Sequence, residues 1–268
     1  LVSDASVGYL FLAGVVPGLL IGAVQMALIV GMAKRRGFPL ETKVPLREMP
    51  RITKEAFPAL MMPVILFGCL YSGITTPTEA AAVAAAYALL ISGGRHRSVT
   101  AGGIYRSLLS SARTTVSIGM LIAGAMALNY VITVENIPKT VSAILTATDL
   151  SPTGFLLMVN VILLVLGCLL EGTTIILIIL PVLLPTATAL GIDPVHFGVM
   201  AVTNIMFGLV TPPYGLLLFM MTKVADVPLR DIVREVMPFL GVMLIALLII
   251  TYMPDFVLFL PRMFGYSG

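Results

Sequence analysis

The sequence predicts an all-α polytopic membrane protein, and three observations carry that prediction. First, the 268 residues are 59% hydrophobic and 11% charged, with a mean hydropathy of +1.06, far more apolar than a water-soluble domain. Second, the apolar residues fall into runs of ~20, the length that crosses a ~30 Å hydrocarbon core as a helix. Third, two of those runs are broken near their middle, one by Glu171-Gly172-Thr173-Thr174 and the other by Thr211-Pro212-Pro213. In hydrocarbon every backbone N–H and C=O must be bonded internally, so non-helical backbone survives only where it lines a cavity. Paired breaks at mid-depth are the mark of a secondary transporter, with ion and substrate held by unwound backbone.

Residues 7–32 form an apolar run containing Pro17 and ending in Lys34-Arg35-Arg36. Residues 44–57 mix basic, acidic and apolar side chains. That pattern suits a helix lying in the interface plane or an ordinary solvated loop. Residues 59–71 continue as an apolar span, and Ser72 to Thr78 is an uncharged turn. There Thr76 is expected to cap a helix starting at Pro77, with Glu79 near the positive end of its dipole. Residues 80–91 form a span rich in small residues, suited to close packing, and residues 93–97 close it with basic groups. Residues 98–113 read as an amphipathic lead-in, 114–131 as a span and 135–148 as a short helix or loop.

Residues 152–190 are interrupted at 171–174, and each arm falls near or below the ~20 residues of a full span. They form either a re-entrant hairpin or two spans joined by a tight turn. A cytoplasmic turn lacking Lys and Arg is unusual, which favours a tip inside the membrane. Residues 196–222 are the broken span, 228–235 an amphipathic segment and 238–253 the last span, followed by a short tail. Basic residues cluster at 34–54, 95–113 and 223–234, which the positive-inside rule places in the cytoplasm. A faint repeat relates residues 4–21 to 225–242, aligning Pro17 with Pro238. The basic cluster follows the first copy and precedes the second, as expected of inverted repeats.

The tip offers a carboxylate, two hydroxyls and flexible backbone, and oxygens at a helix break suit a hard cation such as Na⁺. Free N–H groups at the start of the second arm suit an anion. At the second break, Pro212 and Pro213 lack N–H donors and leave carbonyls near Gly208 to Val210 without helical partners. The Thr211 hydroxyl stands beside them. Asn204 lies upstream, and Gly208 and Gly215 flank the break. A tip turn and a simple proline kink are the plainer alternatives. Asp193, His196 and Glu135 are expected at the outer surface.

Other classes find little support. The net charge of +3 sits in a few loops and is no nucleic-acid footprint. Cys69 and Cys168 lie in apolar runs and read as buried thiols. No nucleophile–base set, phosphate loop or metal-ligand spacing appears, so no enzyme is expected. The chain starts at Leu1 without a signal peptide and is expected to begin partway through a longer protein. No Lys or Arg stands inside a span to meet an acidic substrate.

SDASVGYLFLAGVVPGLL (3–20), LYSGITTPTEAAAVAAAYALL (70–90) and LLEGTTIILIILPVLLPTATALGIDPVHFGVMAVTNIMFGLVTPPYG (169–215) resemble the large membrane (M) subunit of the tripartite ATP-independent periplasmic, or TRAP, transporters. The resemblance runs through nearly the whole chain. It implies an elevator-type fold of the wider ion-transporter superfamily, with inverted repeats, a re-entrant hairpin and a broken helix in a moving domain inside a scaffold. It implies a bacterial inner membrane and coupling to a Na⁺ gradient. It also implies a periplasmic binding (P) protein supplying an organic acid, such as a dicarboxylate or sialic acid, and a small membrane (Q) subunit completing the scaffold.

Carried onto this chain, the hairpin is 152–190 and the broken helix 196–222. Gly172, Thr173, Thr174, Gly208, Val210 and Thr211 become Na⁺-ligand candidates, and Glu171, Asn204, Pro212 and Pro213 tip or substrate candidates. Residues 1–16 would close a first transport-domain repeat, 17–97 supply scaffold helices and an interfacial arm, 98–151 a linker and transport-domain helix, and 152–222 the transport domain. Residues 223–268 would supply a connecting helix, the last scaffold helix and a tail. The family's first hairpin and first broken helix should precede Leu1. Its hairpin tip often carries Asp where this chain has Glu171, which leaves the carboxylate's role open. Na⁺ coupling therefore competes with proton coupling through Glu171 and with a non-transporting receptor or scaffold.

Overall fold

The computed structural model describes residues 7–37, 45, 47–71, 75–94, 100–136 and 151–268. Eleven helices occur among them: α1 Val7–Arg36, α2 Met49–Tyr71, α3 Pro77–Gly94, α4 Ala101–Val134, α5 Pro152–Leu169, α6 Gly172–Ile178, α7 Leu180–Ala189, α8 Pro194–Gly208, α9 Leu216–Ala225, α10 Leu229–Tyr252 and α11 Pro254–Met263. No strand occurs among the described residues, so the all-α expectation holds. The helices α1, α2, α4, α5 and α10 are long and apolar enough to cross a membrane. The bent pair α6–α7 adds a sixth if it counts as one span. The protein is a multi-pass membrane protein. The short element expected at 135–148 lies, beyond Asn136, outside the described residues.

The chain divides into two compact units, residues 37–118 and residues 1–36 with 119–268. In the first, α2 runs unbroken from Met49 through Pro58 and Pro63. Residues 49–57 of the segment expected as an interfacial helix or a solvated loop are thus the start of this helix. A helical proline removes one N–H, and the Tyr87 hydroxyl donates to the Pro58 carbonyl at 3.0 Å. Likewise α4 is one helix of 34 residues, with no joint between the expected lead-in and the span. The start of α3 matches its sequence reading. Thr76 N–H donates to Glu79 Oε2 at 2.7 Å, and Glu79 N–H donates back to Thr76 Oγ1 at 3.3 Å, a reciprocal capping box. Thr76→Ala should lower the stability of the purified protein by about 1 kcal/mol, read as a drop in thermal midpoint with Glu79 still in place.

In the second unit, α5 packs along α8. Phe155, Val159 and Leu163 recur at helical spacing on α5 and are fully buried, as are Phe197, Met200, Ala201 and Ile205 on α8. The rings of Phe155 and Phe197 stack with centroids 6.4 Å apart. Leu157, Val161 and Val165, on the opposite face of α5, are exposed. A helix apolar on all sides belongs in lipid or a large core. Ile250 and Leu247 of α10 and Val257 and Leu258 of α11 complete the core. The segments 17–33 and 238–253, expected in the scaffold, lie on α1 and α10 and pack with this hairpin-bearing unit.

Residues 7–21 and 229–242 of the two segments related by the faint repeat lie on α1 and α10, each continuous through its proline. Arg36, at the end of α1, pairs with Glu235, in the first half of α10. With Tyr9 of α1 on Tyr266 beyond α11 at the other end, the two helices run antiparallel. Both partners are about half exposed, so the pair sets register more than stability.

The expected tail is partly helical and folds back. Tyr266 packs its ring on Tyr9, with centroids 5.0 Å apart. Its hydroxyl donates to Asp193 Oδ2 at 3.0 Å, while Asp193 Oδ1 caps α8 by accepting from the N–H groups of Val195 and His196 at 2.8 and 3.0 Å. Burial, aided by the bond to Asp193, pushes the Tyr266 phenol up to about 12. A raised phenol contributes stability that is complete below the unfolded value near ~10 and is lost as pH climbs to ~12. Tyr266→Phe should therefore flatten the fall in stability between those limits, measured by urea unfolding at stepped pH. An equally steep fall in the variant would contradict the assignment.

Candidate ion and substrate site at the hairpin tip and helix break

Helix length sets the depth of the site. The 15 residues of α8 rise ~22 Å, short of the ~30 Å hydrocarbon core. The 18 residues of α5 rise ~27 Å. The two helices end side by side. A Cβ added at Gly208 would fall 2.6 Å from both Cα and C of Gly167, and one added at Gly167 would fall 3.1 Å from Gly208 Cα. The hairpin tip and the helix break are therefore at one level, joined by direct main-chain contact.

At the tip, α5 stops at Leu169 and α6 starts at Gly172, with Leu170 and Glu171 extended between them. Glu171 is the N-cap of α6. One of its carboxylate oxygens accepts from the Thr173 hydroxyl at 2.7 Å and the other from Thr174 N–H at 3.2 Å. Gly172 is buried against α8, where a Cβ would lie 3.1 Å from Ile205 Cγ2 and 3.2 Å from Met206 Cε. Thr173 and Thr174 are half-buried. The second arm is itself bent, by 51° between α6 and α7, and Pro181 stands at the start of α7.

The break runs from Leu209 to Gly215, and its hydrogen bonds can be followed carbonyl by carbonyl. Phe207 O accepts from Val210 N–H at 3.1 Å and from the Thr211 hydroxyl at 2.7 Å. Gly208 O accepts from Thr211 N–H at 2.9 Å, and Leu209 O from Leu217 N–H at 3.1 Å. Thr211 O accepts from the Cys168 thiol at 3.2 Å. Between Phe207 and Thr211, the Val210 carbonyl alone lacks a donor among the described residues. Pro212 and Pro213 are joined by a cis peptide, and Gly215 sits at φ +33°. A Cβ there would meet Leu218 Cδ1 at 2.8 Å and Thr211 O at 2.9 Å. Two lost N–H donors and one glycine thus open the helix and restart it as α9.

Beside Thr211 lies a cavity of about 300 Å³, walled by Leu164, Val165, Cys168 and Leu169 on one side and by Thr211, Pro212 and Pro213 on the other. Apart from Cys168 and Thr211 its walls are apolar, and Val210 is not part of them. Among the described residues no three His, Cys, Asp or Glu side chains converge as a metal site.

Asn204 is fully buried one turn before Gly208, but it turns toward the interior. Its amide donates to Asn160 O and Oδ1 at 2.9 and 2.6 Å. Asn160 donates to the Thr251 hydroxyl at 2.8 Å, which donates to Leu247 O at 2.7 Å. Asn204 Oδ1 has no partner. His196 was expected at the surface. It is buried instead, with Nε2 2.8 Å from Ile250 O, because the cap of α8 is Asp193. Asn160 and Thr251 are absent from the sequence reading, and Cys168 stands there as a buried thiol without a role. The first two were legible as isolated polar residues within spans, which are costly there and seldom idle. Cys168 is buried and Cys69 half-buried, and neither forms a disulfide among the described residues.

Fold and site together define a polytopic α-helical membrane protein with a polar-tipped hairpin set against a proline-broken helix. The family described as tripartite ATP-independent periplasmic transporter, DctM component, matches residues 1–256, and the chain belongs to it. It is 42% identical over 99% of its length to the C4-dicarboxylate TRAP transporter large permease protein DctM of Pseudomonas aeruginosa. It is 38% identical over 99% of its length to the sialic acid TRAP transporter large permease protein SiaM of Vibrio cholerae. It spans 62% of each of those relatives. The isethionate TRAP transporter permease protein DctMQ of Oleidesulfovibrio alaskensis is 39% identical over 96% of the chain, which spans 41% of it. These relatives are permeases and not enzymes.

Proposed function

We propose that the chain is the ion-binding part of a Na⁺-coupled importer of organic acids, working by an elevator movement in a bacterial inner membrane. A periplasmic binding protein supplies the substrate, and a small membrane subunit completes the scaffold. The observation that carries this reading is the Val210 carbonyl, left without a donor among the described residues in a break that touches the hairpin arm at Gly167. A bound cation supplies positive charge to a low-dielectric site and so offsets a substrate carboxylate. Relatives named for C4-dicarboxylate, sialic acid and isethionate all carry acids, which supports the substrate class. The capping bonds of Glu171 to Thr173 and Thr174 suit an ionised carboxylate and favour the cation over a proton. The moving body in this reading holds α5 to α9, with α1, α10 and α11 packed on it. The full-length permease, reconstituted with its small subunit and binding protein, should take up substrate only under an inward Na⁺ gradient. Uptake that follows a pH gradient and ignores Na⁺ would transfer the coupling role to a proton.

A further inference from the structure

We infer that Cys168 is a positioning residue that keeps the Val210 carbonyl open to the coupling cation. This rests on the cation reading above and assigns a role to a side chain that is not itself a ligand. Tyr214 carries the first N–H after the two prolines. In a continuing helix that N–H would bond the carbonyl four residues back, which is Val210 O. It donates instead to Cys168 Sγ at 3.4 Å, and the thiol in turn donates a hydrogen bond to Thr211 O at 3.2 Å. One side chain from the hairpin arm thus takes both the donor that would close Val210 and the acceptor next to it. It selects which carbonyl in the break stays free. Cys168 sits between Gly167, pressed on Gly208, and the cavity wall it shares with Thr211 and Pro212. Its reach therefore depends on the main-chain contact between the hairpin arm and α8. Without the thiol, Tyr214 N–H is released to Val210 O and the cation loses an oxygen.

The test uses the full-length permease with its small subunit and binding protein in proteoliposomes, varying external NaCl against choline chloride. Cys168→Ala should raise the half-saturating Na⁺ concentration at least 5-fold, with uptake at saturating Na⁺ within 2-fold of wild type. Cys168→Ser, which can also accept and donate, should stay within 3-fold of the wild-type half-saturation. An unchanged half-saturation in Cys168→Ala, or equal shifts in both variants, overturns the role. Wild-type uptake indifferent to Na⁺ overturns the cation reading itself and is recognised separately. Should Cys168→Ala fail to fold, alkylation by N-ethylmaleimide decides, using protein in which Cys69 and any other cysteine are serine. Cys168 should react at least 3-fold more slowly in NaCl than in choline chloride, and equal rates overturn the proposal.

Discussion

Gly208→Ala is expected to be the most damaging single methyl in the described chain, lowering stability by about 3 kcal/mol or more. The new Cβ would sit 2.6 Å from two main-chain atoms of Gly167, and main chain inside a packed helix pair cannot step aside as a side chain can. Relief requires α5 and α8 to part, which strips contacts from Phe155, Leu163 and Ile205 and opens the junction of tip and break. Gly241→Ala is the control. That glycine lies within α10 with nothing inside 4 Å of its added Cβ, so alanine should be neutral or stabilise by up to ~1 kcal/mol through helix propensity. Thermal unfolding of both variants in one detergent measures the contrast. Equal midpoints would show that the close approach of the two glycines is not maintained.

Thr211→Ala is expected to have the largest effect on ion dependence. Its hydroxyl donates to Phe207 O at 2.7 Å, which leaves its oxygen lone pairs available to the cation proposed above. Alanine removes that oxygen and should raise the half-saturating Na⁺ about tenfold, or ~1.4 kcal/mol, with Thr211→Ser nearer wild type. The lost hydrogen bond should cost ~1 kcal/mol of stability, so the variant should still fold. Uptake by the reconstituted full-length assembly across a Na⁺ titration gives the measurement. An unchanged Na⁺ curve would remove Thr211 from the site.

The local features were legible because their causes are local. Pro212 and Pro213 remove N–H groups wherever they stand, Gly172 and Gly208 permit close approach, and Thr76 and Glu79 cap a helix through bonds spanning three residues. The breaks and the start of α3 could therefore be read from the sequence. What escaped depends on partners distant in the chain. Cys168 acts on residues 43 and 46 positions away, and Asn160 meets Thr251 across 91. No short-range pattern announces such pairs. Continuous α2 and α4 were missed for another reason. Charge along a helix marks where its surroundings change, and it does not require the backbone to bend there.

The glycine contact between α5 and α8 has a mechanical corollary. Most helices meet through a layer of side chains that can re-pack and let one cylinder roll on the other. Where two main chains touch, that bearing is missing, and the pair behaves like a pinned joint. Prising the two helices apart would break backbone contact that no side chain could re-form. In the importer proposed above, slippage, in which an ion escapes without its cargo, would be made harder by two hydrogen atoms standing where side chains would otherwise be.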